Sequence, residues 1–275
     1  MRITLMLAAL AAVAAVELAA RPATAQQQTA LAKLSLTEAK AKLAAGTVQN
    51  PADLSGADLS GLDLSGVDFN GANLTGARLA GANLAKANLL ACDLTDAVLT
   101  EADLRGANLD TSTLRRADFQ KANLEGASLF ATILEKADLR GANLSRTRII
   151  GYLKNALLAG ANLRNANIGA DPGNQSMGVM RAQFVGADLT GADLTGANLF
   201  KADFSYAVLR DAKLAGADLS NSDLVQADFT GADLTGANLS KADVSGAVFR
   251  RAVGRSTIKG LDETRNRDQA IFDAR

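Results

Sequence analysis

The sequence contains no histidine, no tryptophan and a single cysteine among its 275 residues, and aromatic residues make up only 4% of it. These absences exclude most zinc sites, every Ser-His-Asp or Cys-His catalytic arrangement and any internal disulfide. Neither sign of charge dominates, since 29 lysines and arginines balance 29 aspartates and glutamates. A neutral chain gives no general reason to expect nucleic-acid binding.

The first 25 residues have the features of a secretory signal peptide. Arg2 precedes an apolar run over residues 3–16, and Ala23, Thr24 and Ala25 form a small-residue cleavage pattern. The run is shorter than the roughly 20 residues that span a bilayer, so no transmembrane anchor is predicted. We expect cleavage near Gln26 and export of a mature chain of net charge −1. A periplasmic location is expected, with secretion or a lumenal location as alternatives; a mobile leader or an uncleaved helix is the alternative to a signal peptide.

A repeat of five residues fills most of the remaining chain. A large apolar residue, usually leucine or phenylalanine, recurs at every fifth position from Leu54 to Ile149, which makes 20 units. One residue is then lost, the register resumes through residues 153–168, and a second strict series of 14 units runs from Phe184 to Phe249. A small residue, usually alanine, lies two positions before each centre, and aspartate or asparagine usually lies between them.

A period of five belongs neither to a helix nor to a strand. Each unit must therefore turn a corner and return its large side chain to a common axis, with the small residue two positions earlier also pointing inward. If four units close one square turn, every fourth centre lies in the same place on the next coil. Phe184 and Phe204 are four units apart, as are Phe229 and Phe249. We therefore expect these rings to stack in successive coils.

The units match the A(D/N)LXX signature, and the chain resembles the pentapeptide-repeat family over residues 51–255. This resemblance implies an all-β solenoid, a right-handed quadrilateral parallel β-helix. At four units per coil we expect nine to ten coils.

Both ends of a solenoid need covers, because each would otherwise expose unpaired and apolar surface. Residues 26–50 are predicted to form an N-terminal helical cap, with a capping box at Ser35 and Glu38 and a stop at Gly46. Residues 256–275 are predicted to form a C-terminal cap, a short amphipathic helix. The family resemblance implies the same, and it adds a possible homodimer through this cap, since the corresponding end mediates dimerisation in some relatives.

Residues 170–181 interrupt the repeat. Pro172 and Gly173 are typical of a turn, and Met177 and Met180 are the only methionines of the mature chain. An insertion into a regular coil must bulge out at a corner, and the resemblance implies that some gyrase-protecting relatives need such loops. We therefore interpret this loop as a candidate functional segment, with a neutral surface insertion as the alternative.

One face is predicted to carry a column of large apolar side chains at the position after the centre, where serine, threonine, alanine or charge is usual. With four units per coil the column reads Asn70, Leu90, Asp110, Phe130 and Ile150, and Phe200 joins it if the interruption leaves the order of the faces unchanged. An exposed apolar stripe is typical of a partner site. The alternatives are that a cap or the loop packs against it, or that scattered exposure has no role.

No catalytic, metal-binding or cofactor-binding residue is predicted. Aspartate alternates freely with asparagine before the centres, as in Asp53 and Asn73, which paired-carboxylate chemistry would not tolerate. We interpret these residues as structural, because both can hydrogen-bond nearby backbone. Cys92 takes the place of an inward alanine, which favours a small buried thiol over a reactive one.

These features favour a non-enzymatic, exported structural scaffold or protein-binding module whose partner the sequence does not identify. The resemblance supplies an alternative, a DNA-mimicking protein that binds gyrase and protects the topoisomerase. Such mimicry requires an acidic rod, whereas here the mature charge is −1 and basic residues interrupt the acidic columns. No nucleic-acid partner is expected in either case.

Overall fold

The computed structural model describes residues 33–170 and 180–273, so the predicted signal peptide lies outside the described residues. Its regular elements are the helix α1 (Leu36–Ala45) and the strands β1 (Ser128–Ile133) and β2 (Arg148–Tyr152). Three single-turn 3-10 helices follow near the C-terminus, at Arg255–Thr257, Leu261–Glu263 and Arg267–Gln269. The other five-residue units are joined to their neighbours by single parallel β-bridges.

The bridges define a β-solenoid in which four units make one coil. Four successive units pair in parallel with the next four units along the chain: Asp53 with Asn73, Asp58 with Arg78, Asp63 with Asn83, and Asp68 with Asn88. The bridging residue in each unit is the one before the large apolar centre. The predicted closure of one turn by four units is therefore what the bridges show.

Every backbone N–H of residues 71–75, a unit with asparagine before its centre, is paired. The first and fourth N–H groups of the unit donate to carbonyl oxygens of the next coil, those of Leu90 and Asp93. The second donates across the corner to the carbonyl oxygen of Phe69, and the third donates to that of Ala52 in the preceding coil. The fifth donates to the side-chain oxygen of Asn73, and all five distances are 2.7 to 3.1 Å. Because buried N–H groups must be paired, this pattern explains why asparagine or aspartate recurs at that position.

The core consists of the large centres and the small residues two positions before them, which are almost completely buried along most of the solenoid. In the first coil Ala57, Leu62 and Val67 are only partly buried. The phenylalanine rings stack as predicted: the centroids of Phe184 and Phe204 are 4.8 Å apart, and those of Phe229 and Phe249 are 5.0 Å apart. Fully burying one such side chain contributes roughly 1.5–3 kcal/mol. The low aromatic content is thus offset by the number of stacked centres.

Helix α1 and the residues before it cover the first coil. The capping box forms, with the Ser35 hydroxyl oxygen accepting from the Glu38 N–H and the Glu38 carboxylate accepting from the Ser35 N–H. Ala39 is fully buried, and Leu36 and Leu43 pack against the core. The segment also extends the ladder, since Lys33 forms a parallel bridge.

The C-terminal segment does not form the amphipathic helix that the sequence analysis predicted. It continues the coil in units that are each one residue longer, and the extra residue is taken up in a 3-10 turn that follows a left-handed residue (Gly254, Gly260 or Asn266). The separation between bridged residues therefore grows by one with each unit, at Asn238–Lys259, Asp243–Arg265 and Val248–Ile271. The apolar residues assigned to a helix face instead lie on this widened coil, where Phe272 stacks on Phe249 at 5.2 Å.

Two irregularities lie in the middle of the solenoid. The separation between bridged residues shrinks by one where a residue is lost, as between Arg148 and Asn167, and strands β1 and β2 pair there with a register shift between Phe130 and Thr132. Across the interruption the separation is larger than elsewhere, as between Asn167 and Asn198, but every ladder resumes on its own face. The insertion therefore leaves the order of the four faces unchanged.

The inward position of the centres gives a direct test with Leu109, which is fully buried. Leu109→Asp places an unpaired carboxylate in the core, so we expect a loss of about 4 kcal/mol or more in the free energy of unfolding. Denaturant unfolding followed by circular dichroism measures it. Val48→Asp, at a side chain that is 94% exposed, is the control and should change little. Equal stability of the two variants would contradict the inward assignment.

Candidate functional site

The structure brings the four predicted column residues onto one face. Each of Leu90, Phe130, Ile150 and Phe200 lies two positions after a bridging residue of a single ladder. That ladder runs through Asn88, Asn108, Ser128, Arg148, Asn167 and Asn198. Phe200 belongs to the column because the chain after the insertion resumes the same order of faces.

The exposure of the column differs from the expectation. Ile150 is only 2% exposed and belongs to the buried side chains, whereas Leu90, Phe130 and Phe200 are half-buried. The unit after Ile149 has lost a residue, and the chain there forms strand β2, in which Ile150 pairs with Phe130 of β1. The prediction that Ile150 is exposed is wrong, although its side chain does not belong to the cluster of inward centres.

Cations lie over both phenylalanines of the column. The guanidinium carbon of Arg148 is 4.3 Å from the centroid of the Phe130 ring, and the ammonium of Lys201 is 5.2 Å from that of Phe200. Such contacts contribute about 0.5–1 kcal/mol at exposed sites. Asp110 lies within the column, between Leu90 and Phe130, and accepts from the Ser128 hydroxyl and the Phe130 N–H at 2.5 and 2.9 Å. The column is therefore a mixed surface, in which half-buried apolar side chains alternate with polar and charged groups, a composition that suits a wet protein interface.

The predicted functional loop is described only at its edges. Pro172, Gly173 and Met177 lie outside the described residues, and Met180 is half-buried. Directly after it, Arg181 forms ion pairs with the carboxylates of Asp203 and Asp223, at 3.3 and 2.5 Å. The end of the insertion is thus attached to two further coils, and the loop's functional role stays a prediction.

The aspartates of the ladder have the structural role that the sequence analysis assigns to them. Asp53, Asp58 and Asp63 each accept from the N–H two residues later. Asparagines in the next coil donate to some of them as well, for example Asn73 to Asp53 at 3.2 Å. Hydrogen bonds from the side chains and backbone of Ser55, Ser60 and Ser65 hold the pKa of these three carboxyls below the usual value.

Cys92 is buried, as predicted, and its thiol donates to the carbonyl oxygen of Phe69 at 3.3 Å. Desolvation by burial raises the pKa of this thiol to about 12, so the reactive thiolate is not populated near neutral pH. Hydroxyls at the same inward position are also satisfied: Ser112 and Thr147 donate to the backbone carbonyls of Leu89 and Leu144.

Within the described residues, no group of three or more acidic or cysteine side chains is arranged to hold a metal ion. In residues 33–170 and 180–273, no helix is long and apolar enough to cross a membrane. Sequence reasoning missed several exposed apolar side chains, among them Tyr152, Leu157 and Tyr206. The sequence does contain a signal for two of them, because Tyr152 and Leu157 stand at bridging positions where aspartate or asparagine is usual.

The chain belongs to the pentapeptide-repeat family. It matches the family of pentapeptide repeats in eight copies, over residues 52–89, 92–129, 122–151, 180–214 and 212–251, which together are more than half of the sequence. No curated protein matches it significantly.

Several solved pentapeptide-repeat structures are similar to this one. HetL from the cyanobacterium Nostoc, involved in regulating heterocyst differentiation, is 29% identical; the match covers 86% of this chain and 94% of HetL, with a TM-score of 0.38. A protein from the thylakoid lumen of Arabidopsis thaliana is 31% identical over 46% of this chain and 70% of its own, with a TM-score of 0.29. Full-length QnrB1, a plasmid-mediated fluoroquinolone resistance protein, is 18% identical over 79% and 94%, with a TM-score of 0.30.

The lowered pKa values of Asp53, Asp58 and Asp63 predict acid sensitivity. A carboxyl whose pKa is lower in the folded than in the unfolded state stabilises the fold above its unfolded pKa, near 3.8, and this contribution is lost as the pH falls through the folded pKa. We therefore expect the free energy of unfolding to decrease from about pH 5 towards pH 2. Replacing all three by asparagine, which keeps the accepting oxygen, should make the decrease shallower.

Urea unfolding across this pH range measures the effect. The parent chain, measured over the same pH range, is the reference. If the free energy of unfolding of the triple variant falls with pH as steeply as that of the parent, the stabilising role assigned to these three carboxyls is contradicted.

Proposed function

We propose that this protein is a non-enzymatic, exported scaffold or protein-binding module. The observation that carries the proposal is the apolar column, with Leu90, Phe130 and Phe200 half-buried on one face and cations over both rings. Solvent-accessible apolar side chains bordered by charge form the kind of surface that a protein partner covers.

The described side chains support a binding role better than a catalytic one. The chain has no histidine, and its one thiol is buried with a raised pKa. The repeated carboxylates hydrogen-bond their own backbone, so they are committed to the coil rather than available as general bases.

The alternative, a DNA-mimicking protein that binds gyrase, has weaker support. Mimicry of a duplex needs continuous negative charge, but arginines pair with aspartates along the ladder and its corners. Three such pairs have oxygen-to-nitrogen distances of 2.5 to 2.6 Å, namely Arg105–Asp103, Arg116–Asp96 and Arg140–Asp138. These contacts neutralise the acidic columns in the middle of the solenoid.

Export is tested by the mature N-terminus. We expect intact-mass spectrometry of the native protein to show a chain beginning near Gln26, recovered outside the cytoplasm by fractionation. Replacing Ala23 and Ala25 by arginine should block processing and leave the longer chain. A full-length native chain in the cytoplasm would contradict the export proposal and would make a gyrase supercoiling assay the next measurement.

The binding role is tested by chemical crosslinking in the compartment where the native protein is found. Leu90→Ser combined with Phe130→Ser removes two of the three accessible apolar side chains of the column, so we expect a several-fold loss of one defined crosslinked partner, quantified by mass spectrometry. Ile150 is unsuitable for this test, since a polar residue at its buried position would destabilise the coil.

The matched control is Leu157→Ser combined with Tyr206→Ser, which changes the same kinds of side chain on another face. Both double variants must unfold at temperatures close to that of the parent. Equal recovery of the partner by the two variants would contradict the apolar column as the binding surface.

A further inference from the structure

A basic groove lies on one edge of the C-terminal half of the solenoid. It has a volume of about 510 Å³ and is lined by Arg181, Lys201, Asn221, Lys241 and Arg265. The residues come from successive coils, because Gln183, Asp203, Asp223, Asp243 and Arg265 follow one another in a single bridge ladder. With strands about 4.8 Å apart, the groove extends for roughly 19 Å along the coil axis.

The two lysine side chains of the groove leave the backbone in the same direction. Lys201, Asn221 and Lys241 open their units with nearly identical left-handed backbones, with φ of 59°, 57° and 59°. Their Cβ atoms therefore leave the chain in parallel. Two coil steps separate the lysines, which places their Cβ atoms about 9.6 Å apart with the Cβ of Asn221 midway.

The arginines of the groove are already paired, whereas the lysines are not. Asp223 accepts from Arg181 at 2.5 Å and from Arg265 at 3.3 Å, and Asp203 also pairs with Arg181. Among residues 33–170 and 180–273, neither lysine has an ion-pair partner; Lys201 instead contacts the Phe200 ring.

Asp243 also has local partners, accepting from the Ser245 N–H and from the Asn266 amide. Four basic residues and the aspartates Asp203, Asp223 and Asp243 leave one net positive charge, and of the described groove residues the two lysines carry the cations without an ion-pair partner.

We propose that this groove binds an extended acidic peptide segment in which two carboxylates are three residues apart. A polyproline II chain has three residues per turn and rises 3.1 Å per residue, so residues i and i+3 lie on one face about 9.3 Å apart. That spacing matches the distance between the two lysines. In a β-strand the same two side chains would point to opposite faces.

The remaining groups favour a peptide over a nucleic acid. The Asn221 amide offers both a donor and an acceptor, which suits the C=O and N–H of a peptide group, whereas a phosphate backbone offers acceptors only. The ladder of Asp203, Asp223 and Asp243 beside the groove would repel a ligand with one charge on every unit. The proposal rests on the protein-binding function above and specifies one chemical class of partner.

The test is fluorescence anisotropy at low salt with a labelled peptide of three Pro-Pro-Glu repeats. A second peptide of the same composition, with its three glutamates contiguous, tests the spacing, and a thymidine oligonucleotide tests the nucleic-acid alternative. We expect the periodic peptide to bind more tightly than both, with an affinity that decreases as salt is added.

Lys201→Gln combined with Lys241→Gln should weaken binding of the periodic peptide about five- to tenfold, the loss of two exposed ion pairs. Lys86→Gln combined with Lys136→Gln is the matched control, since both lysines also open units with left-handed backbones but lie outside the groove, and it should leave binding unchanged.

Equal effects of the two double variants, no preference for the periodic peptide, or tighter binding of the oligonucleotide would each overturn the proposal. If the peptide fails while Leu90→Ser with Phe130→Ser still abolishes partner capture, the binding function stands and only the groove assignment fails.

Discussion

The coil-to-coil hydrogen-bond ladder is the constraint on which the rest of the structure depends. In a unit such as residues 71–75, four N–H groups are paired by backbone carbonyls, and the fifth is left for the side chain before the centre. Aspartate and asparagine can accept that bond two residues along the chain, which is why either one serves. The inward residues then need only fill a narrow space, one large and one small in each unit.

The same ladder fixes the corners strongly enough to override the preference of each residue. Glycine opens many units with positive φ, but Lys86 and Glu101 adopt the same left-handed backbone, with φ of 58°. A non-glycine residue in this region is strained, so it persists only where its surroundings determine the backbone. Corner side chains are therefore free to vary in chemistry while their direction is fixed. Function in such a fold belongs to these outward positions.

The period of five was enough to predict the coil of four units, the inward centres and the stacking of Phe184 on Phe204, because each follows from one repeated geometry. Departures from the period were harder to interpret. Ile150 is buried at a shortened unit, where strand β2 pairs with β1 across a register shift, and the period predicts neither feature. The longer C-terminal units were mistaken for a helix, because local apolar spacing does not reveal that the ladder continues.

The basic groove shows why the candidate sites depend on more than the repeat. Arg181 and Lys201 become neighbours only because the insertion leaves the order of the faces unchanged, and Arg265 joins them only because the longer C-terminal units continue the ladder. Once that register is known, the coil spacing gives the distances between equivalent side chains on one face. Charges can occur only at multiples of about 4.8 Å along a face, so a ligand that engages several of them must itself be linear and periodic. A polyproline II chain, whose turn is close to two coil steps, satisfies this condition, whereas an α-helix with a pitch of about 5.4 Å drifts out of register within a few turns.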